Sequence, residues 1–180
     1  MRPRETTWQR PADVIQALDL RDGNVVVDLG SGAGYFALKL PSVVGNRGEV
    51  IAVDIRHLSL SFLWIRKVRR GLHNVRIVVG EKNDPRLPPG SADAALICNT
   101  YHEFEQPEKM LGHAFRALRP GARLVIADRW PHESEPSHGA ELRDVAADVK
   151  RSGFHIAKTD DRFIDRGPDD RWWLLAARRP

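Results

Sequence analysis

The sequence predicts an α/β fold with a doubly wound, seven-stranded, mostly parallel sheet and an antiparallel hairpin at its C-terminal edge. Three observations lead to this prediction. Short β-branched runs alternate with segments of helical periodicity along most of the 180 residues. A glycine-rich turn joins the first of these strands to the helical segment that follows it. No helical segment separates the last two strands, so we expect them to pair in antiparallel fashion.

The first half of the chain is predicted to hold three strands that alternate with helices. In order, the elements are a helix over 12–20, a strand over 25–27, a helix from Ala33, a strand over 49–54, a helix over 58–70 and a strand over 75–79. Val14, Ile15 and Leu18 share one face of the first helix. Pro41 lies inside the second helix and is expected to end or kink it, because proline lacks a backbone N–H. Gly71 is suited to end the third helix.

The second half is predicted to hold four strands and two helices. In order, these are a strand over 93–99, a helix that begins at Pro107, a strand over 123–127, a helix around 142–149 and strands over 154–158 and 172–177. Apolar residues recur at helical spacing after Pro107, and proline favours the first position of a helix. Pro120-Gly121 predicts a turn before the fifth strand. Gly153 is suited to end the last helix, and residues 166–170 are hairpin-like.

The composition is that of an ordinary globular domain. Hydrophobic residues make up 42% of the chain and charged residues 29%, and no apolar run approaches the length of a membrane span. The N-terminal residues contain no apolar signal-peptide segment. Cys98 is the one cysteine, which excludes an internal disulfide and a multi-cysteine metal site. We therefore expect a cytoplasmic protein without a metal, and the net charge of +4 is only a weak indication of a nucleic-acid partner.

The glycine-rich turn after the first strand predicts a ligand site. Gly30, Gly32 and Gly34 permit a tight turn and close approach of a ligand to the backbone. Their spacing departs from the dinucleotide fingerprint G-x-G-x-x-G, since Tyr35 stands at its last position. Asp28 precedes the turn, where a carboxylate would repel a pyrophosphate and suit a cationic ligand. The alternative is a turn that only packs a helix against a strand.

A second acid strengthens the prediction of a ligand site. Asp54 ends the second strand, 24 residues after Gly30. In nucleotide-binding α/β domains, an acid at this place accepts hydrogen bonds from ribose hydroxyls. The alternative is that Asp54 caps the helix that follows it.

These features occur together in a known family. The segments VVDLGSGAGYFALKL, VIAVDI, GEKNDPRLPPGSADAALICNTYHEF and ALRPGARLVIAD resemble class I S-adenosylmethionine (SAM)-dependent methyltransferases, which have a Rossmann-like fold. Within that family the chain looks most like small-molecule methyltransferases of the ubiquinone/menaquinone-biosynthesis type. The resemblance implies one SAM-dependent methyltransferase domain over 1–180, with 1–23 as an N-terminal helix and lid segment and 24–180 as the catalytic core.

The resemblance also implies SAM as the cofactor, with S-adenosylhomocysteine as its product. In the family the glycine turn packs against the methionine and ribose parts of SAM, Asp28 faces the cationic amino-acid end, and Asp54 holds the ribose hydroxyls. Either Glu81 or Asp84 is expected to accept from the adenine amine, and Asp84 is favoured because D-P-R-L-P resembles a block of one subgroup. The full predicted set is Asp28, Gly30, Ser31, Gly32, Gly34, Asp54, Ile55, Glu81, Asp84 and Asn99.

The segment after the fourth strand is where the methyl group and its acceptor are expected to meet. The enzyme's main task in methyl transfer is to align the reacting atoms. His102 is the candidate general base, because its ordinary pKa of about 6.5 suits proton uptake near neutrality. The alternative is a structural imidazole that shapes the loop. Tyr101 is expected to orient the acceptor or to line the SAM pocket, and Asn99 to contact the amino-acid end of SAM.

Three functions remain in competition at this point. The first is methyl transfer from SAM to a small organic acceptor. The second is an RNA or protein methyltransferase that docks through the basic cluster Arg66–Arg70, although a solvated helix face is favoured for that cluster. The third is a SAM-binding module without catalysis. A homodimer through the Trp172-Trp173 hairpin is a further alternative, and core packing explains that pair equally well.

Overall fold

Seven strands pair into one sheet in the computed structural model, which describes residues 9–132 and 136–180. In chain order they are β1 (Val25–Leu29), β2 (Glu49–Asp54), β3 (Val75–Val79), β4 (Ala92–Cys98), β5 (Leu118–Arg129), β6 (His155–Asp165) and β7 (Arg171–Arg178). Their order in the sheet is β3-β2-β1-β4-β5-β7-β6. Strands β1 to β5 are parallel, and β7 is antiparallel to both of its neighbours, β5 and β6. The predicted fold class is confirmed.

The helices lie in the connections between these strands. They are α1 (Pro11–Ala17), α2 (Pro41–Val44), α3 (His57–Arg69), α4 (Pro107–Ala117) and α5 (Leu142–Arg151), with single 3₁₀ turns at Tyr101–Glu103 and Pro136–His138. Within the described ranges, no helix combines the length and the apolar character that crossing a membrane requires. The first eight residues of the expected lid segment lie outside the described residues.

Two apolar layers cover the sheet, one on each face. Side chains alternate along a strand, so Val26 of β1 packs into one layer and Val27 into the other. The first layer includes Val14 of α1 and Leu63 of α3. The second includes Leu111 of α4, together with residues of α5. The carboxyl ends of the parallel strands therefore open at one edge of a three-layer α/β/α structure.

The predicted helix from Ala33 is largely wrong. Residues 32–40 form consecutive turns, and the regular helix is only the four residues of α2. Pro41 stands at the first position of that helix instead of ending a preceding one. The physical reason is that proline has no N–H to donate to the turn before it, whereas its fixed φ suits the start of a helix.

Strands β5 and β6 are more than twice as long as the sequence pattern predicted. Strand β5 begins at Leu118, which pairs with Ala92, and regular pairing resumes with Arg123 opposite Ala94, so residues 119–122 bulge out between them. Strand β6 continues past two irregularities in its pairing with β7. Trp172 and Trp173 are fully buried on opposite faces of β7. These side chains therefore belong to the core, and they offer no surface for the homodimer that was one reading of the sequence.

Candidate functional site

A cleft opens at the carboxyl edge of the sheet, around the switch point between β1 and β4. In doubly wound sheets, ligands bind where neighbouring connections leave for opposite faces. The turn side of the cleft has a volume of about 360 Å³, and its lining includes Gln9, Asp28, residues 30–33, Cys98, Asn99 and Thr100. The loop side has a volume of about 90 Å³, and its lining includes residues 53–56 and 80–82, Pro85, Phe104 and Met110. Gly30, Arg56, Thr100 and Glu103 border both sides.

The three glycines of the turn are needed for two different structural reasons. Gly30 (φ +77°) carries no side chain because a Cβ there would lie 2.1 Å from Cγ2 of Thr100. Gly34 (φ +88°) is held just as closely by Leu63, at 2.3 Å. Gly32 (φ +52°) lines the turn side, and a Cβ there would meet no heavy atom of the described residues within 4 Å. The outer glycines therefore serve packing, whereas Gly32 leaves bare backbone open to a ligand.

Asp28 is a buried acid whose environment suits a cationic ligand. It is 3% exposed and lines the turn side. Burial raises its pKa to about 7, a backbone hydrogen bond from Ala37 opposes that rise, and the charge of Asp54 adds to it. Oδ2 of Asp28 and the hydroxyl of Ser31 are buried with no hydrogen-bond partner among the described residues. Such atoms are costly unless a ligand or water satisfies them.

Asp54 ties the end of β2 to the glycine turn. Its carboxylate is 5% exposed, and it accepts the N–H of Gly32 at Oδ2 and the N–H of Arg56 at Oδ1, each at 2.8 Å. The turn also hydrogen-bonds back to β2, since Gly30 and Ser31 donate to the carbonyl of Val53 at 2.8 and 3.0 Å. Carboxylate oxygens accept more than one hydrogen bond, so lone pairs of Asp54 remain for a ligand in the cleft. The predicted pairing of turn and acid is thus present.

Arg56 and Glu103 form an ion pair across the cleft. Nη2 of Arg56 lies 3.5 Å from Oε2 of Glu103, and Nε of Arg56 lies 3.5 Å from Oδ1 of Asp54. Both side chains are about half exposed, so the pair contributes little to stability. Its position at the border of both sides links the end of β2 to the 3₁₀ turn after β4. Sequence reasoning did not assign a role to Arg56, and its place two residues after the strand-ending acid was the available signal.

The loop after β3 separates the two candidate adenine contacts. Glu81 lines the loop side with Ile55, and Arg86 pairs with the Glu81 carboxylate. The N–H of Glu81 donates to the carbonyl of Asp84 at 2.7 Å, which closes a tight turn. This turn points Asp84 toward α4, where its Oδ1 lies 3.4 Å from Nδ1 of His113. Asp84, the residue favoured from the sequence, therefore lies outside the loop-side lining, and Glu81 lies within it.

Asn99 and Thr100 form the wall of the cleft at the end of β4. Asn99 lines the turn side in the left-handed backbone conformation (φ +55°), which asparagine tolerates better than most residues. Its N–H donates to the carbonyl of Ala127 at 2.9 Å. The hydroxyl of Thr100 donates to the carbonyl of Cys98 at 3.2 Å, or to that of Gly30 at 3.3 Å. The exit of β4 is thereby fixed against β1 and β5.

His102 is held by Asp128, a residue that sequence reasoning did not single out. Nδ1 of His102 lies 2.8 Å from Oδ1 of Asp128, and the N–H of His102 donates to Oδ2 at 3.2 Å. Burial acts to lower the pKa of His102, but the hydrogen bond and charge of Asp128, aided by Glu103, outweigh it, so the pKa lies above its ordinary value. Asp128 is the penultimate residue of β5, at the same edge of the sheet as Asp28 and Asp54, and that position near the strand end was the signal for it.

Tyr101 lies with the core rather than with the cleft. Its ring is 5% exposed and packs in the layer under α4 and α5. Its hydroxyl donates to Oδ2 of Asp148 on α5 at 2.5 Å. Burial, then the hydrogen bond and charge of Asp148, raise the pKa of Tyr101. The structure therefore does not bring Tyr101 to the lining residues where the sequence placed it.

The sequence has relatives among known proteins. The family described as "Methyltransferase domain" matches residues 20–167. The ubiquinone/menaquinone biosynthesis C-methyltransferase UbiE of Marinomonas sp. (strain MWYL1) is 29% identical over 129 residues, which are 71% of this chain and 51% of that protein. The chain spans about half the length of the curated relatives of this kind that it matches.

Solved structures share the fold. A SAM-dependent methyltransferase from Aquifex aeolicus superposes with a TM-score of 0.86 at 25% identity, covering 98% of this chain and 93% of that one. Phosphoethanolamine N-methyltransferase 2 of Haemonchus contortus, solved with phosphomonomethylethanolamine and S-adenosylhomocysteine, superposes with a TM-score of 0.79 at 17% identity, covering 96% of this chain and 53% of that one. The cleft described above thus belongs to a fold that these proteins have in common.

Proposed function

The chain belongs to the methyltransferase-domain family, and from that premise we propose that it transfers a methyl group from SAM to a small organic acceptor. One observation carries the proposal most directly. Asp28 presents a buried carboxylate oxygen without a partner among the described residues, and it faces the same cleft as Asp54 and the open backbone of Gly32. Two acids beside bare backbone suit a ligand that combines a cation with ribose hydroxyls.

The residues of the turn side, together with Asp54 of the loop side, fit the amino-acid and ribose parts of SAM. Asp28 would hold the cationic amino group of SAM. The hydroxyl of Ser31, which has no partner among the described residues, adds a donor for the carboxylate of SAM. Asp54 would accept from the ribose hydroxyls with the lone pairs that the turn leaves unused. Asn99 stands beside them on the β4 wall. When bound, SAM supplies a methyl group activated by its positively charged sulfur.

The loop side fits the adenine ring. Ile55, Pro85 and Met110 are apolar residues of its lining, and Glu81 is the acid that the loop after β3 contributes to it. We assign the hydrogen bond from the adenine amine to Glu81 in place of Asp84. The proposal keeps residues 1–23 as the N-terminal helix and lid segment, of which the described residue Gln9 is buried in the cleft lining, and residues 24–180 as the catalytic core. The cytoplasmic location and the lack of a metal stay predictions.

His102 is the group proposed to take the proton that an acceptor loses when it gains a methyl group. Because Nδ1 faces the Asp128 carboxylate, the proton of a neutral His102 resides on Nδ1 and the lone pair on Nε2. The His102 side chain is 5% exposed and is not itself among the lining residues, but Thr100 and Glu103, which stand on either side of it in the chain, line the cleft. Proton transfer to a positioned base typically accelerates a reaction by 10²–10⁴-fold. Tyr101 acts indirectly in this proposal, by fixing the 3₁₀ turn that carries His102 against α5.

A methyl-transfer assay tests this function. The protein is incubated with methyl-labelled SAM and a panel of small acceptors. Precursors of ubiquinone and menaquinone come first, because the Marinomonas relative is named for their biosynthesis. RNA and protein fractions are tested beside them. We expect label in a low-molecular-mass product and expect Asp54→Ala to abolish it. Label recovered in RNA or protein, or binding of SAM with no transfer to any fraction, would contradict the proposal.

A further inference from the structure

The outer face of α3 carries a concentrated set of exposed apolar side chains. All seven large hydrophobic side chains that are exposed in the described residues lie between positions 55 and 79. Six of them form a continuous stretch that we call the α3 face: Ile55, Leu58, Phe62, Trp64, Ile65 and Val68, each between 45% and 71% exposed. Leu60 and Leu63 of the same helix point into the core. The α3 face is therefore a second apolar side, and concentrated apolar exposure of this kind marks an interaction site.

The segment that carries the α3 face has charges of one sign, although Arg56 and Arg76 within it pair with carboxylates from outside it. Residues 55–80 carry six of the 28 Lys and Arg residues and none of the 24 Asp and Glu residues. The remainder of the chain, with 22 basic and 24 acidic side chains, is net negative. Arg69 and Arg70 are exposed, and in the part of the chain that the structure describes they have no carboxylate partner. Arg66 donates only to a backbone carbonyl, that of Ala33, so its charge is also uncompensated.

The α3 face adjoins the cleft. Ile55 belongs to both, because it is 47% exposed and also lines the loop side. Leu58, Phe62 and Ile65 follow at spacings of four and three residues, so they form one stripe along the helix. Trp64 and Val68 form a second stripe beside it. A planar partner laid along these stripes would contact the rim of the cleft and the basic end of the helix together.

Three classes of partner fit this surface unequally. A second copy in a symmetric dimer would present the same basic segment, in which residues 55–80 hold no Asp or Glu to compensate the arginines. Nucleic acid would satisfy the arginines, but Leu58, Ile65 and Val68 have neither hydrogen-bonding groups nor rings to stack on bases. An anionic bilayer satisfies both features, since its headgroups attract arginine and its acyl boundary accepts Trp, Phe and Leu side chains. Basic amphipathic helices with these residues typically lie in the plane of a membrane surface.

We propose that the α3 face docks this protein on the surface of an anionic lipid bilayer, with its apolar side chains at the acyl boundary and Arg66, Arg69 and Arg70 at the headgroups. The helix lies on the membrane in this arrangement and does not cross it. The loop side of the cleft then opens next to the bilayer through Ile55. This inference depends on exposure and charge alone, so its failure would leave the proposed methyl transfer unaffected.

Vesicle co-sedimentation of the full chain tests the proposal. The probes are vesicles of phosphatidylcholine alone and of equimolar phosphatidylcholine and phosphatidylglycerol. We expect binding only to the anionic vesicles, weakened by salt. Arg69→Gln/Arg70→Gln should weaken it roughly 25-fold, since each basic side chain near such a surface contributes about fivefold. Phe62→Ser/Trp64→Ser should weaken it at least about tenfold. Arg143→Gln/Lys150→Gln, which removes two exposed charges from α5, should leave it unchanged.

The competing occupants give different results. Light scattering across a concentration series would reveal a dimer, and a dimer lost in Phe62→Ser/Trp64→Ser would overturn the proposal in favour of self-association. Duplex RNA that binds while anionic vesicles do not would overturn it in favour of nucleic acid. Vesicle binding that is equal in all three variants would also overturn it. The substituted residues are exposed, so unchanged melting temperatures are expected and serve as the check on folding.

Discussion

Nδ1 of His102 lies 2.8 Å from Oδ1 of Asp128, a carboxylate with no exposed surface. This contact joins the 3₁₀ turn after β4 to the end of β5, two segments that are separated by a helix in the chain. It fixes the ring orientation and leaves Nε2 as the atom that accepts a proton. A carboxylate behind a histidine is a common means of holding one tautomer in place.

The pH dependence of methyl transfer is the first consequence of this contact. Neutral His102 is the active form of a base, and Asp128 holds the pKa of His102 above its ordinary value. The rate is therefore expected to fall as pH drops through that raised pKa. Asp128→Asn should move the fall to lower pH, and His102→Gln should lower kcat by about 10²–10⁴-fold. Rate–pH profiles check both, with the exposed Asp165→Asn as control. A profile that Asp128→Asn does not move would show that His102 is structural.

Asp28 is expected to strengthen cofactor binding while it lowers the stability of the ligand-free protein. Its pKa is about 7 in the folded protein, above the ordinary value near 4, so the folded state binds the extra proton between these pH values. By linkage, the free energy of unfolding falls as pH rises from about 4 to about 7. Asp28→Asn should remove this slope and stabilise the ligand-free protein at pH 8 relative to wild type, but weaken SAM binding at least about tenfold. Urea unfolding at several pH values measures this pH dependence of the free energy of unfolding in both proteins. A pH dependence that Asp28→Asn leaves unchanged would contradict its assignment to Asp28.

Cofactor binding is also expected to release the proton that Asp28 carries in the ligand-free protein. A cationic ligand favours the ionised carboxylate, so binding at pH 6 should release a proton and affinity should rise with pH through about 7. Calorimetry in buffers of different ionisation enthalpy counts that proton. A proton release that persists in Asp28→Asn would mean that another group is responsible.

Substitutions of Gly32 and Gly30 are expected to affect SAM binding and folding stability differently. A Cβ on Gly32 meets no described heavy atom within 4 Å, so Gly32→Ala costs only the left-handed backbone strain of about 1–2 kcal/mol while it blocks a ligand at bare backbone. A Cβ on Gly30 lies 2.1 Å from Thr100, so Gly30→Ala should destabilise the fold more strongly. Thermal unfolding and SAM titration of both variants check this contrast. Normal SAM affinity in folded Gly32→Ala would contradict the placement of the cofactor.

The adenine contact is tested by a matched pair of substitutions. Glu81→Gln removes the charge of the acid in the loop-side lining, and Asp84→Asn does the same for the acid that faces His113. We expect Glu81→Gln to weaken SAM binding about 5- to 20-fold, as for a charge-assisted hydrogen bond of about 1–2 kcal/mol, and Asp84→Asn to have little effect. The reverse order of effects would restore Asp84 as the contact.

The parts of the fold that were predictable are those set by local sequence. The β-branched strands, the glycine turn and the acids Asp28 and Asp54 at strand ends all follow from residues close together in the chain. The turns over residues 32–40 were missed because apolar helical spacing dominated the pattern, whereas Pro41 decided the backbone. Strand β5 was underestimated because its pairing resumes across a bulge that depends on β4.

The parts of the site that were not predictable depend on contacts between distant segments. Asp128 reaches His102 only because β4 and β5 are neighbours in the sheet. Asp84 was preferred over Glu81 because D-P-R-L-P resembles a block of one subgroup. The tight turn that points the two acids apart is closed by backbone hydrogen bonds, which leave little trace in residue types. Tyr101 looked like a lining residue from its position, but its hydroxyl finds Asp148 on a helix 47 residues away.

Calorimetric titration with S-adenosylhomocysteine tests the central claim most directly. The wild-type chain is titrated beside Asp54→Ala, the matched surface variant Asp165→Ala and an NAD control, after thermal unfolding has verified that each variant is folded. We predict binding on the order of micromolar to the wild type and to Asp165→Ala, loss of binding in Asp54→Ala, and no signal with NAD. A folded wild type that binds no S-adenosylhomocysteine, or that binds NAD instead, would contradict the account.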